Sequence, residues 1–119
     1  MKRAFLFPGQ GAQVVGMGKD IYEKYEEARS IYEKASQIAK MDIAKICFEG
    51  PEEELRKTEN TQLAILTTSL AILEILKKEG VTAQIATGLS LGEYGALISA
   101  DMISFEDGIK LIQKRGYYM

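Results

Sequence analysis

The stretch from residue 85 to 99 limits the fold more tightly than any other. An apolar Ile85-Ala86-Thr87 runs into Gly88-Leu89-Ser90-Leu91-Gly92, and a helix-forming Leu91-Gly92-Glu93-Tyr94-Gly95-Ala96-Leu97-Ile98 follows. The pattern G-x-S-x-G requires a strand to turn sharply into a helix, with the serine on strained backbone and glycines where the chain crosses itself. A chain organised around such a turn alternates strands and helices and pairs its strands in parallel. The Ser90 hydroxyl is then exposed at the carboxyl end of the strand, and the Leu91 backbone N–H points toward a developing oxyanion. Without its flanks, the same pentapeptide reads as a tight βα turn with small residues chosen for packing.

The rest of the chain fills in that alternation. Residues 3–7, closed by Pro8-Gly9, predict a first short buried strand, followed by a loop carrying Gly9, Gly11, Gly16 and Gly18. Asp20 reads as the N-cap of a helix over 20–40, because Ile21, Tyr25, Ala28, Tyr32 and Ala35 recur at helical spacing. Residues 42–48 form a short helix ended by Gly50-Pro51, and Pro51 opens another with Glu52, Glu53 and Glu54 in its first turn. Asn60 or Thr61 caps a helix over 62–79 that Gly80 stops; it is apolar nearly all round and so predicted to be buried. Residues 83–87 predict the second strand, and Ser104 with Asp107 resembles a capping box for a last helix.

Only two strands are legible, and a stable sheet usually needs three or more. The expectation is an α/β domain whose parallel sheet is incomplete over residues 1–119, a single truncated domain of a larger fold.

Composition narrows the chemistry. Fifteen Lys and Arg against seventeen Asp and Glu leave a net charge of −2, which argues against a nucleic-acid groove. One cysteine, Cys47, excludes an internal disulfide framework or a Cys-rich zinc site, and no metal is expected. Histidine is absent, so nothing in these 119 residues supplies an imidazole base. The basic Met1-Lys2-Arg3 precedes too short an apolar run for a secretory segment, and residues 63–76 fall short of the ~20 apolar residues a bilayer requires. A cytoplasmic protein without membrane association is expected. The remaining glycine runs fit neither a dinucleotide fingerprint nor a phosphate-binding P-loop.

A set of blocks carries more information than the elbow alone. Phe7-Pro8-Gly9-Gln10-Gly11, Val15-Gly16-Met17-Gly18, Phe48-Glu49-Gly50-Pro51, Thr58-Glu59-Asn60-Thr61-Gln62, the elbow through Tyr94, and Arg115-Gly116 occur in one order. Together they resemble the N-terminal part of the malonyl-CoA:acyl carrier protein transacylase family. The resemblance implies an α/β-hydrolase-like large subdomain, and a ferredoxin-like small subdomain that this chain lacks. It implies Ser90 as the nucleophile that takes malonyl from coenzyme A, and backbone amides of Gln10 and Leu91 as the oxyanion hole. Arg115 would pair with the malonyl carboxylate, as a planar, always-charged guanidinium does well. Malonyl-CoA and an acyl carrier protein are the implied partners. No cofactor is implied: coenzyme A arrives as the substrate thioester, and phosphopantetheine belongs to the acceptor protein.

Read from residues alone, Arg115 is a cation at a helix C-terminus with Gly116 as its cap. Gln62 reads either as pocket lining or as a helix-end hydrogen bond. Leu89 stands where many family members have histidine, and changes the polarity beside Ser90. The family's general-base histidine is expected outside this chain, in the remainder of the same protein or in a complementary chain, so the chain alone is expected to be inactive. Three alternatives remain at this level. They are a polyketide-type acyltransferase domain, a G-x-S-x-G esterase or thioesterase, and a non-catalytic subunit that binds a partner.

Overall fold

A computed structural model describes residues 2–119; Met1, read above as part of the basic start, lies outside the described residues. The order is β1 (Ala4–Phe7), α1 (Lys19–Lys24), α2 (Glu26–Ala39), α3 (Ile43–Glu49), α4 (Glu52–Arg56), α5 (Thr58–Lys78), β2 (Ile85–Gly88), α6 (Leu91–Ser99) and α7 (Phe105–Tyr118). The two strands pair in parallel, Ala4 with Ile85 through Phe7 with Gly88. This register brings the loops after both strands to the same end of the sheet, so the turn at Ser90 faces the loop that begins at Pro8.

The long helix α5 is the organiser. Its residues from Thr61 to Thr67 are all buried, as an all-round apolar helix requires. Helices α2, α3 and α7 pack directly on it, and α6 lies across both strands. Tyr32, Leu63, Ile109 and Ile112 are 0–1% exposed at the centre of this packing. Tyr32 also donates or accepts one hydrogen bond with Thr68, at 2.7 Å, and meets Tyr22 and Phe48 edge to face. The tyrosines of the predicted helix over 20–40 therefore serve packing.

Several expected boundaries move, each for a local reason. The helix over 20–40 is two helices, because Tyr25 is extended (φ −119°, ψ 125°) between them. The carbonyls this break frees at Tyr22 and Glu23 accept from the Arg29 guanidinium at 2.9 and 3.3 Å. Asp20 is not the N-cap; Gly18 is, with φ 83°, where an added Cβ would overlap the Tyr32 hydroxyl. Helix α5 begins at Thr58 rather than at Gln62, and Asn60 does not cap it but donates from its side chain to the Glu54 carbonyl at 2.8 Å. Ser104 does accept from the Asp107 N–H at 3.1 Å, as an N-cap side chain should.

The strands depart further from expectation. The first was predicted to be buried, yet only Phe7 is; Leu6 is 75% exposed and Ile85 63%. With two strands, α6 packs on both, while an apolar cleft of about 460 Å³ stays open between β1 and α5. Phe5, Leu6, Ile65 and Ile72 are among its walls. Among the described residues, no helix is long and apolar enough to cross a membrane.

Candidate active site

Three glycines set the seam between the elbow and β1. A Cβ on Gly88 would lie 2.3 Å from the Gly92 carbonyl, and one on Gly92 would lie 2.1 Å from the Phe7 carbonyl oxygen. Neither distance is open to a real side chain. Gly9, on the opposing loop, sits so that its Cβ would be 3.0 Å from the Leu89 carbonyl. Backbone therefore packs on backbone at this end of the sheet.

Ser90 takes the consequence. It has φ 56° and ψ −112°, a conformation L-residues rarely adopt, and it precedes α6 as its N-cap residue. Such strain costs about 1–3 kcal/mol and persists only where surrounding structure enforces it. The two glycine contacts are that enforcement. The result is an exposed serine hydroxyl above a helix N-terminus, flanked by Leu89, which is 82% exposed.

The candidate residues come together here from four separate elements. Arg115, in the last turn of α7, donates from Nη2 to Ser90 Oγ at 2.6 Å and from Nη1 to Gln62 Oε1 at 2.7 Å. Gln62 is completely buried, five residues into α5, which corrects its reading as a helix-end residue. Gly116 is not a cap either. It is buried inside α7, and its Cβ would lie 2.9 Å from Glu59 Cα, so its absence lets α7 approach the start of α5 and brings Arg115 onto Gln62.

The backbone N–H groups of Leu91 and Gln10 donate no hydrogen bond among the described residues. The Gln10 side chain reaches Thr58 Oγ1 at 3.3 Å, tying the loop after β1 to the start of α5. Two participants escaped the sequence reading. Tyr94 offers its ring to Arg115, with the guanidinium carbon 5.6 Å from the ring centroid, and Thr58 anchors Gln10. Both lie inside motif blocks already noted, and Tyr94 follows Ser90 by one helical turn, the spacing at which side chains share a face.

This constellation brings together an exposed serine hydroxyl, a guanidinium that donates to it, and backbone N–H groups without partners among the described residues. A guanidinium only donates hydrogen bonds, so Arg115 does not accept the Ser90 proton, and the chain contains no histidine. Among the described residues, no group of three or more His, Cys, Asp or Glu side chains is placed to hold a metal ion.

Comparison with known proteins decides the family. The family model described as the acyl transferase domain matches residues 4–119. The chain belongs to the acyl transferase domain family. It is 46% identical, over 118 residues, to the malonyl CoA-acyl carrier protein transacylase of Bacillus subtilis (strain 168), covering 99% of this chain and 37% of that relative. A crystal structure of malonyl CoA-acyl carrier protein transacylase from Clostridium perfringens superposes with a TM-score of 0.95 at 51% identity, covering all of this chain and 38% of that one. A third match, at TM-score 0.94 and 37% identity, covers 98% of this chain and 38% of a malonyl-transacylase solved in complex with a type II PKS acyl-carrier protein. This acyl transferase chain thus reproduces the α/β arrangement of those structures over rather more than a third of their length. The part of the expected fold that it lacks accords with their greater length.

Proposed function

We propose that this chain supplies the nucleophile and the acyl-selecting cation of a malonyl-CoA:acyl carrier protein transacylase. One observation carries the reading: a guanidinium donates directly to the hydroxyl of the elbow serine, 2.6 Å away. A cation so close to the nucleophile favours an acyl group with a carboxylate one or two bonds beyond its carbonyl. Malonyl has that form. An acetyl group leaves the guanidinium without its anion, and a thioesterase acting on simple acyl chains has no use for the cation. The names of the relatives point to the same donor and acceptor.

The reaction runs in two halves. Ser90 Oγ attacks the thioester carbonyl of malonyl-CoA and loses its proton to a base, and the coenzyme A thiolate leaves, taking up a proton. The carbonyl oxygen carries the developing negative charge toward the Gln10 and Leu91 N–H groups. The phosphopantetheine thiol of the carrier protein then attacks the Ser90 ester, and the serine recovers its proton. Of Arg115's five N–H donors, Gln62 and Ser90 each take one, which leaves others for the malonyl carboxylate. The charge of the guanidinium favours that exchange over its neutral contact with Ser90.

The chain spans 37–38% of the length of these relatives. We place the general base outside these 119 residues, later in the same protein or on a complementary chain, on the open side of the sheet. Residues 1–119 then form the first part of one domain, and the lone Cys47 suits a reducing, cytoplasmic setting.

Arg115→Ala, in the protein carrying its base, tests the reading. Malonyl transfer is expected to lose about 100-fold or more in kcat/KM, roughly the worth of a charged bidentate contact, while acetyl transfer changes far less. Equal losses for the two donors would refute the carboxylate role.

A further inference from the structure

The Arg115 side chain is long and flexible, yet it is held at three points. These are Ser90 Oγ at 2.6 Å, Gln62 Oε1 at 2.7 Å, and the Tyr94 ring with its centroid 5.6 Å from the guanidinium carbon. The three are not equivalent. Ser90 is exposed and is the atom that reacts; its contact with Arg115 changes the moment an acyl group arrives. Tyr94 is only half-buried. Gln62 alone is fully buried, and it belongs to α5, the helix with the most buried residues.

The buried amide is also oriented without ambiguity. A guanidinium has donors and no acceptor, so the amide atom facing it has to be the oxygen. The amide nitrogen then points the other way, toward Met119 Sδ at 3.1 Å. A primary amide buried without partners is costly, so the Gln62–Arg115 contact holds both residues in place. The anchor is neutral as well. A carboxylate at this position would pair with Arg115 and cancel the charge that a substrate carboxylate needs, whereas an amide oxygen fixes the guanidinium and leaves its charge unspent.

We propose that Gln62 is a positioning residue, whose buried amide oxygen holds the Arg115 guanidinium over Ser90 and thereby sets the preference for a carboxylated acyl donor. The proposal rests on the role of Arg115 argued above. It assigns Gln62 no contact with substrate; the residue acts through Arg115.

The test measures the ratio of malonyl to acetyl kcat/KM in the protein carrying its base, for Gln62→Met, Gln62→Glu and, as control, Arg115→Ala. Gln62→Met keeps the volume and removes the acceptor, and the ratio should fall by about 10- to 100-fold, as for loss of a hydrogen bond to a charged group. Gln62→Glu keeps an acceptor facing Arg115 but adds a competing charge, so its ratio should fall chiefly through a raised KM for malonyl-CoA. A merely structural role would lower thermal stability without moving the ratio. An unchanged ratio in a folded Gln62 variant, while Arg115→Ala collapses it, would overturn the proposal and leave the role of Arg115 standing. An unchanged ratio in Arg115→Ala would bring down both. Should Gln62→Met fail to fold, Gln62→Glu carries the comparison alone.

Discussion

The helical side and the sheet side of this molecule are built to different standards. Around α5, side chains from α2, α3 and α7 close a core in which Tyr32, Cys47, Ile109 and Ile112 have no measurable exposure. Across the sheet, Leu6, Ile85 and Leu89 are 75, 63 and 82% exposed, and a cleft of about 460 Å³ lies open beside β1. Yet the most strained residue of the candidate site, Ser90, belongs to the loosely covered side. The difference teaches that the geometry of the elbow does not depend on a finished core around the strands. It depends on a narrow seam of backbone contacts, Gly88 on Gly92 and Gly92 on Phe7, which are complete within the chain.

The sharpest way to break this comparison is to fill that seam. Gly92→Ala puts a methyl group 2.1 Å from the Phe7 carbonyl oxygen, where only backbone movement can relieve it. A loss of about 3 kcal/mol or more is expected in denaturant unfolding. A near-neutral result would mean that the sheet side yields as a whole and that nothing enforces the conformation of Ser90.

The next test sets the two sides directly against each other. Ile109→Ala removes a fully buried side chain of α7 and should cost about 2–5 kcal/mol. Leu6→Ser changes an exposed apolar residue and should stay within about 0.5 kcal/mol in this chain alone. If the chain meets a further covering segment, as proposed above, Leu6→Ser becomes costly only in that longer protein. Equal costs in the isolated chain would erase the distinction between the two sides.

Much of this architecture is legible in the sequence, and the illegible parts share a cause. The elbow and the helix from Leu91 to Ser99 can be read because glycine spacing and a strand-to-helix switch are local signals. The break at Tyr25 is invisible, because the apolar period runs straight through it and the carbonyls it frees find Arg29 seven and six residues on from Tyr22 and Glu23. Gly116 resembles a helix cap until α7 is seen crossing Glu59. Gln62 resembles a helix-end residue until α5 is seen to begin at Thr58. In the site itself, the elbow marks Ser90 from local sequence, whereas the contacts of Arg115 with Gln62 and Ser90, 53 and 25 positions away, are visible only in space.

A smaller effect sharpens the closed side alone. Burial pushes the Cys47 thiol up to about 12, and the nearby Thr68 hydroxyl only partly offsets this. The tyrosine hydroxyl of Tyr32, on the same threonine, is raised by burial too. Both groups are held neutral in the folded state at pH values where the unfolded chain would ionise them. Their contribution to stability is therefore complete below about pH 9, the ordinary thiol value, and is lost as pH rises toward 12. Thermal melts should show this alkaline decline, Cys47→Ala should reduce it, and thiol alkylation of the native chain at pH 8 should be slow beside that of the unfolded chain.

The division of labour proposed above puts nucleophile and carboxylate anchor in this chain and the base elsewhere. Labelled malonyl-CoA offered to the 119-residue chain, with intact-mass and peptide mapping of any adduct, tests it most directly. Little or no malonyl ester is expected at Ser90 in the chain alone, and rapid labelling of that same serine once a base-bearing segment is supplied. Rapid stoichiometric malonylation of Ser90 without that segment, or labelling that settles on another residue when it is present, would contradict it.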